Sequence, residues 1–126
     1  MPWEAIKSDN LPGHITWMTP AAKVGNILFT GGQVPRHPKT LEIPGDIQGQ
    51  TRQCMENLKT VVEAGGGSMS DYIRFTVYIT DMGNWADMNE VYREYINEEK
   101  PPARLCCQTG LNADYLVEID GIAVID

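Results

Sequence analysis

The sequence of 126 residues has no apolar run long enough to cross a membrane, which takes roughly 18 residues, so no transmembrane helix is expected. Its N-terminal stretch MPWEAIKSDN has neither the basic nor the apolar segment of a secretory signal peptide. The length and the ordinary balance of apolar and charged residues are typical of one soluble globular domain. We therefore expect a cytoplasmic single-domain protein spanning residues 1–126.

Basic residues are few and scattered. Ten Lys and Arg residues stand against 17 Asp and Glu residues, which gives a formal net charge of −7. A nucleic-acid-binding protein normally carries a basic face, so nucleic acid is not an expected partner. A small anion is expected to bind only where a local arginine overrides the negative field.

Cysteine and histidine are also scarce. The three cysteines, Cys54, Cys106 and Cys107, are odd in number and two are adjacent, which disfavours a disulfide framework. There is no CxxC motif, and His14 and His37 belong to no plausible ligand set, so no metal site is expected. A cysteine nucleophile would need an activating histidine. Cys106 and Cys107 are thus interpreted as small buried thiols on a strand.

Turn signals and apolar periodicity predict an α+β fold, a single sheet with two helices packed on one face. A helix of about five turns is expected to begin at the cap Asp46 and to stop at Gly65. The other predicted elements are an irregular segment at 1–20, a hairpin at 23–32, a loop at 34–45, strands at 72–80, 102–110 and 115–125, and a second helix at 84–97 with Trp85 and Tyr92 in its apolar stripe.

The strands predict which sheet face meets the helices. The first long strand alternates, with Ile73, Phe75, Val77 and Ile79 on one face. In the last strand one face is wholly apolar and should pack on the helices; it carries Val117, Ile119, Ala123 and Ile125.

The opposite sheet face predicts an oligomer. Large side chains should lie there with no third layer to cover them, namely Tyr72, Tyr78, Leu116, Ile122 and Val124. A partner subunit could supply the cover, so we expect a homo-oligomer whose sheets face one another.

The stretch KPPARLCCQTG places Arg104 on an apolar strand without a local counter-charge. By strand parity Arg104 shares a face with Cys106, and Glu118 shares a face with Asp120. If those faces coincide, a guanidinium and two carboxylates meet between subunits. The guanidinium could then hold a ligand carboxylate in a two-pronged bond. Alternatively, Arg104 forms a structural ion pair with Glu118 or Asp120 that holds the subunits together.

Over most of its length, from about Lys23 to Val124, the chain resembles the RidA family, also called the YjgF family. The stretches that carry the resemblance are KVGNILFTGGQVP, GDIQGQTRQCMENLKTVVEAGGGSMSDYIRFTVYITDM, MNEVYREYINEEKPPARLC and LVEIDGIAV. The family signature is present as Pro102-Ala103-Arg104 and Glu118-Ile119-Asp120.

The resemblance implies a chorismate-mutase-like fold and a homotrimer with a central β-barrel and ligand pockets between subunits. It also implies hydrolysis of a small carboxylate-bearing enamine or imine to a keto acid and ammonia, without a metal or organic cofactor. Arg104 would hold the substrate carboxylate, and Glu118 would position or activate the attacking water. Cys106 and Asn89 correspond to family positions at the pocket.

The chain departs from the family at two pocket positions. Met18 stands where the family has a tyrosine, and Gly31 where it has a serine. These changes favour a specialised enzyme for a larger unsaturated, 2-aminomuconate-like amino acid as one alternative. A second alternative is a trimer that binds a metabolite without turning it over.

Overall fold

The computed structural model describes residues 2–12 and 16–126. His14 lies outside the described residues. The helices and strands follow the chain in this order: β1 Glu4–Ile6, β2 Ala21–Val24, β3 Ile27–Thr30, α1 Ile47–Ala64, β4 Tyr72–Ile79, α2 Trp85–Arg93, β5 Ala103–Gln108 and β6 Val117–Val124.

One six-stranded sheet has the order β1-β2-β3-β6-β4-β5. β2 and β3 form the predicted hairpin, with Gly25 at a positive φ of 59° in the turn, where glycine carries no steric penalty. β4 and β5 pair in parallel, because α2 crosses over between them, and the other pairs are antiparallel. The sheet thus ends at β1 on one side and at β5 on the other.

Helix α1 begins and ends as predicted. The side chain of Asp46 accepts a hydrogen bond from the Gly49 amide, and Gly65 follows the last helical residue. Helix α2 is shorter than predicted. It ends at Arg93, and tight turns occupy the next residues before Pro101 and Pro102, which cannot continue a helix. Trp85, predicted in the apolar stripe, is about half exposed.

The core lies between the sheet and the two helices. Leu58 of α1, Phe75 and Val77 of β4, and Ile119 of β6 are fully buried there. In β6 the alternation is as predicted, and every second residue from Val117 to Ala123 faces the helices.

A bulge in β4 changes the predicted alternation. The register with β6 shifts between Tyr72 and Arg74, so Tyr72 faces the core, where its hydroxyl donates to the Leu58 carbonyl at 2.6 Å. Ile73, predicted in the core, is exposed. The prediction that Tyr72 faces away from the helices was therefore wrong, because counting alternate residues does not detect an inserted one.

Two further differences concern segments next to strands. The segment 1–20 was expected to be irregular, but Glu4–Ile6 forms the edge strand β1 against β2. Leu116 precedes β6 and packs against the core instead of facing away from the helices.

The sheet face opposite the helices, called the open face below, is apolar in large part. Phe29 on β3 and Leu105 on β5 are about half exposed there, and Ile122 and Val124 of β6 are partly exposed. Within residues 2–12 and 16–126, no helix is long and apolar enough to span a membrane.

Candidate functional site

Arg104 lies on the edge strand β5, and its side chain starts on the helix face of the sheet. It pairs in register with the buried Phe75, and paired residues of neighbouring strands point to the same side. Its Nη1 donates to Oδ1 of Asn89 at 2.5 Å, and its Cζ lies 4.7 Å from the ring centroid of Tyr92. The guanidinium is thus held against α2 rather than left free in solvent.

A cleft of about 540 Å³ opens beside the guanidinium. Its walls come from α2, the following turns and the segment that leads into β5, and include Trp85, Asn89, Tyr92, Ile96 and Pro101. Among the described residues no carboxylate pairs with Arg104, whereas Arg52 and Arg93 have glutamate partners. Glu90 and the paired Arg93 and Glu98 also line the cleft, but most of its exposed wall is apolar. The cleft therefore offers a held cation and mostly apolar walls, which suits an organic anion.

Glu118 lies near the start of β6, on the open face. It pairs with Tyr78 of β4, whose hydroxyl donates to Oδ2 of Asp120 at 3.4 Å. Partial burial raises the pKa of Glu118, and the nearby negative charge of Asp120 raises it further. A carboxyl group whose pKa moves toward neutrality is suited to accept and return a proton.

Within one chain, Arg104 and Glu118 are on opposite faces of the sheet. Arg104 shares the side of Phe75 and the helices, whereas Glu118 shares the side of Tyr78. The two faces therefore do not coincide within one chain, and among the described residues Arg104 forms no ion pair with Glu118 or Asp120 inside the subunit. An ion pair between subunits stays a prediction. The alternation along β5 and β6 was assigned correctly, but alternation cannot show which face of one strand matches which face of another.

Met18 and Gly31 come together near Glu118 of β6. Both line a hollow of about 200 Å³ with Gly32, and the Gly31 amide donates to the Pro20 carbonyl at 2.8 Å. Gly32 is next to the Glu118 carboxylate, which occupies the space of its missing β-carbon. Met18, Gly31 and Gly32 thus form a second cluster, which touches Glu118 through Gly32 and is separate from the cleft at Arg104.

Cys106 and Cys107 point to opposite sides of β5. Cys106 pairs with the buried Val77, and Cys107 pairs with Tyr78 on the open face. Burial raises the pKa of the Cys106 thiol, and the positive charge of Arg104 offsets this only in part. The thiol is therefore not activated as a nucleophile.

Two residues of these clusters were not assigned a role from the sequence. Tyr92 was placed in the apolar stripe of α2, and its contact with Arg104 appears only when β5 is docked against that helix. Gly32 was interpreted as the end of a strand. Its adjacency to Gly31 was a signal that the backbone passes close to another group here.

No group of three His, Cys, Asp or Glu residues in the described chain could hold a metal ion. The chemistry available to the two clusters comes chiefly from the Arg104 cation, the Glu118 carboxyl group of raised pKa and the surrounding backbone groups.

Comparisons with known proteins agree with this fold. A family model described as Endoribonuclease L-PSP matches residues 10–125. A RutC family protein of Pyrococcus horikoshii is 49% identical over 122 residues, covering 95% of this chain and 96% of that protein. The 2-iminobutanoate/2-iminopropanoate deaminase of Escherichia coli K12 is 36% identical over 124 residues, covering 96% and 97%.

The sheet and helices also match a solved structure. The crystal structure of Escherichia coli TdcF with bound serine superposes with a TM-score of 0.91 at 40% identity, covering 98% of this chain and 99% of that one. Similarity over the whole chain, together with the Pro102-Ala103-Arg104 and Glu118-Ile119-Asp120 motifs, shows that the chain belongs to the RidA family.

Proposed function

We propose that this protein is an enamine/imine deaminase that hydrolyses a small carboxylate-bearing enamine or imine to a 2-keto acid and ammonia. The observation that carries the proposal is Arg104, which is held in place beside a cleft and has no carboxylate partner among the described residues. Membership of a family that includes a 2-iminobutanoate/2-iminopropanoate deaminase supports this reaction class.

The reaction needs orientation, a water molecule and one proton-handling group. Two N–H groups of Arg104 would hold the substrate carboxylate, so that the adjacent iminium carbon lies at a fixed distance from Glu118. Glu118 would take a proton from water as its oxygen attacks that carbon. It would then return that proton to the nitrogen of the carbinolamine. As the carbon–nitrogen bond breaks, the hydroxyl oxygen forms the carbonyl and its proton passes, through Glu118, to the departing ammonia. The iminium and water are thereby converted to the keto acid and ammonium.

The two clusters must come from different subunits for this chemistry to occur. Arg104 and Glu118 lie on opposite faces of one sheet, and the open face carries exposed apolar side chains such as Phe29 and Leu105. A homotrimer that buries these faces would bring β5 of one subunit toward β6 of the next. Mass photometry should then report three times 14.0 kDa, and a monomer at micromolar concentration would contradict the shared site.

Acidity continues to argue against nucleic acid as a substrate, although the matching family model is described as an endoribonuclease. The net charge is −7, and two of the arginines are paired with glutamates on the surface. A phosphate backbone requires several accessible cations on one face. The proposed substrate needs a single one.

The deaminase proposal is tested by Arg104→Lys in an assay that reduces the released keto acid with lactate dehydrogenase. Imines are generated in the same mixture by an amino-acid oxidase. Lysine keeps the charge but loses the two-pronged geometry, so kcat/KM should fall at least about tenfold. Arg52→Lys is the matched control, since Arg52 makes a two-pronged bond to the exposed Glu94 on the outer helix surface. Equal turnover by the two variants would rule out the proposed clamp.

A second candidate is a metabolite-binding trimer without turnover, favoured by the loss of two hydroxyl groups at Met18 and Gly31. Titration calorimetry with 2-oxobutanoate measures binding independently of turnover. Binding that depends on Arg104, together with no acceleration of ammonia release by the wild-type protein, would favour this candidate over the enzyme.

The finer choice between small imines and a larger, 2-aminomuconate-like substrate depends on the space around Gly31. The position of a β-carbon there lies 3.5 and 3.6 Å from the Thr19 and Pro20 carbonyl oxygens, which is ordinary contact. A serine would therefore fit, and its absence leaves free volume. We favour a substrate with an unsaturated side chain that extends into this hollow.

A further inference from the structure

The guanidinium of Arg104 is held by two residues of α2 that carry no charge. Asn89 and Tyr92 are three residues apart and so lie on the same face of the helix. The Asn89 oxygen accepts from Nη1, and the Tyr92 ring lies under Cζ at 4.7 Å. Because a guanidinium N–H can only donate, the oxygen of Asn89, not its NH₂ group, must face Arg104.

Tyr92 is itself fixed. Its ring packs edge-on against Phe75, with centroids 5.8 Å apart, and Phe75 is fully buried. Burial raises the pKa of Tyr92 to about 12, and the positive charge of Arg104 lowers it only in part. The phenol is therefore neutral at any ordinary pH, and its contact with Arg104 is a cation–π interaction.

Arg52 of α1 is held in the opposite way, by a charged partner. Both Nη1 and Nη2 of Arg52 donate to the carboxylate of Glu94, at 3.1 and 3.0 Å. That arrangement neutralises the cation and occupies its fork. At Arg104 an amide oxygen and an aromatic face fix the side chain while its charge and its remaining N–H groups stay available.

We propose that Asn89 and Tyr92 are positioning residues that orient Arg104 toward the substrate carboxylate, and that residue 89 must be neutral for the site to bind an anion. This inference rests on the proposed function, because it assumes that Arg104 receives the carboxylate. It also gives Asn89 a different role from direct substrate contact, since its oxygen is turned to the guanidinium.

The inference predicts how substitutions of Asn89 rank by their effect on ligand binding. A purely structural role of Asn89 does not predict this ranking. Asn89→Ala removes one hydrogen bond and lets the guanidinium move, so binding should weaken about threefold. Asn89→Asp keeps an acceptor and should hold Arg104 more firmly, yet its carboxylate competes with the substrate for the same cation. Binding should then weaken at least about tenfold.

The experiment is titration calorimetry of the purified full-length protein with 2-oxobutanoate, a stable keto acid of the expected product class. Asn97→Asp is the control, since it adds the same charge while its side chain can still accept from the Glu99 amide. Its dissociation constant should stay within about twofold of wild type. In turnover assays the loss in Asn89→Asp should appear mainly in KM, with kcat changed less.

The outcomes separate this inference from the proposed function. If Arg104→Ala weakens binding but Asn89→Asp binds at least as tightly as Asn89→Ala, the requirement for neutrality is wrong and the clamp survives. If Arg104→Ala binds 2-oxobutanoate as wild type does, both proposals are wrong. Melting temperatures measured on each variant show whether a loss arises from unfolding instead.

Two further readouts report on positioning itself and need no turnover. Tyr92→Phe keeps the aromatic face and should lose much less affinity than Tyr92→Leu, which removes it. In nitrogen-detected NMR of the arginine side chains, rotation about the Cζ–Nη bonds of Arg104 should be slow in the wild type and faster in Asn89→Ala. Unchanged rotation in that variant would contradict a positioning role for Asn89.

Discussion

The carboxylate of Glu118 occupies the space that a β-carbon on Gly32 would fill. Gly32 has no positive φ, so an alanine there is allowed by the backbone. The conflict is with the flexible end of the Glu118 side chain rather than with the main chain. The absence of a side chain at residue 32 therefore sets where the carboxylate lies.

A methyl group at this position should redirect Glu118 without unfolding the protein. We expect Gly32→Ala to lower kcat/KM for imine hydrolysis at least about tenfold while the melting temperature changes little. Gly45→Ala is the control, because a β-carbon at Gly45 meets nothing within 4 Å. Full activity in Gly32→Ala, or a crystal structure with Glu118 unmoved, would contradict this account.

Glu118 should also reduce stability at neutral pH. Burial, reinforced by Asp120, raises the pKa of Glu118 in the folded chain, so folding favours its protonated form. The stability from this group is fully present below the unfolded pKa of about 4.3 and is lost as pH rises through the higher folded value. Glu118→Gln should therefore raise the melting temperature at pH 7 while abolishing turnover.

That stabilisation should disappear as the pH falls below about 4. There the carboxyl group of Glu118 is protonated in the wild type and is therefore uncharged, like the amide of the Glu118→Gln variant. Thermal melts of the wild type and Glu118→Gln at several pH values test the sign of the effect. Glu99→Gln, at an exposed glutamate, is the control for the loss of one negative charge. A wild type more stable than Glu118→Gln at pH 7 would contradict the raised pKa.

Gln50 should be important for stability although it is polar. It is 1% exposed, and its side chain bonds the Pro44 and Asp114 carbonyls and the Leu116 amide. Gln50→Ala leaves these backbone groups without partners, which should lower the free energy of unfolding by about 2–4 kcal/mol. Urea denaturation measures the change. Gln48→Ala, on the exposed side of the same helix, should cost less than about 1 kcal/mol.

Restoring the two missing hydroxyl groups should speed the hydrolysis of small substrates. Each neutral hydrogen bond contributes about 0.5–1.5 kcal/mol, so Met18→Tyr with Gly31→Ser should raise kcat/KM on 2-aminoacrylate roughly five- to hundredfold. The same change should impair a bulky unsaturated substrate, because it fills the hollow beside Gly31. Equal shifts for both substrates would contradict a role for this hollow in selectivity.

Local signals in the sequence predicted most of the fold. Asp46 and the glycines after α1 have local hydrogen-bonding and conformational roles, and both ends of that helix were predicted correctly. The bulge at Tyr72 was missed because it depends on pairing with β6, which is distant in sequence. The uncovered sheet face could be inferred from alternation alone, and it is apolar in the structure.

The candidate site was predictable only in part. Arg104 attracted notice because an apolar strand does not usually carry a guanidinium without a partner. Its position relative to Glu118 depends on which face of β5 matches which face of β6, and no pattern within either strand encodes that. Tyr92 and Gln50 had the periodicity of core residues, and their polar contacts arise from tertiary docking.

The placement of Arg104 and Glu118 on opposite sides of one sheet has a genetic consequence. In the proposed trimer each site takes its guanidinium from one subunit and its carboxylate from another, so no single subunit has to carry both. Two inactive alleles, Arg104→Ala and Glu118→Gln, should then complement each other when they are co-expressed. When the two mutant subunits mix randomly in equal amounts, about a quarter of the sites should contain both Arg104 and Glu118. Either allele alone would leave the cell without the activity.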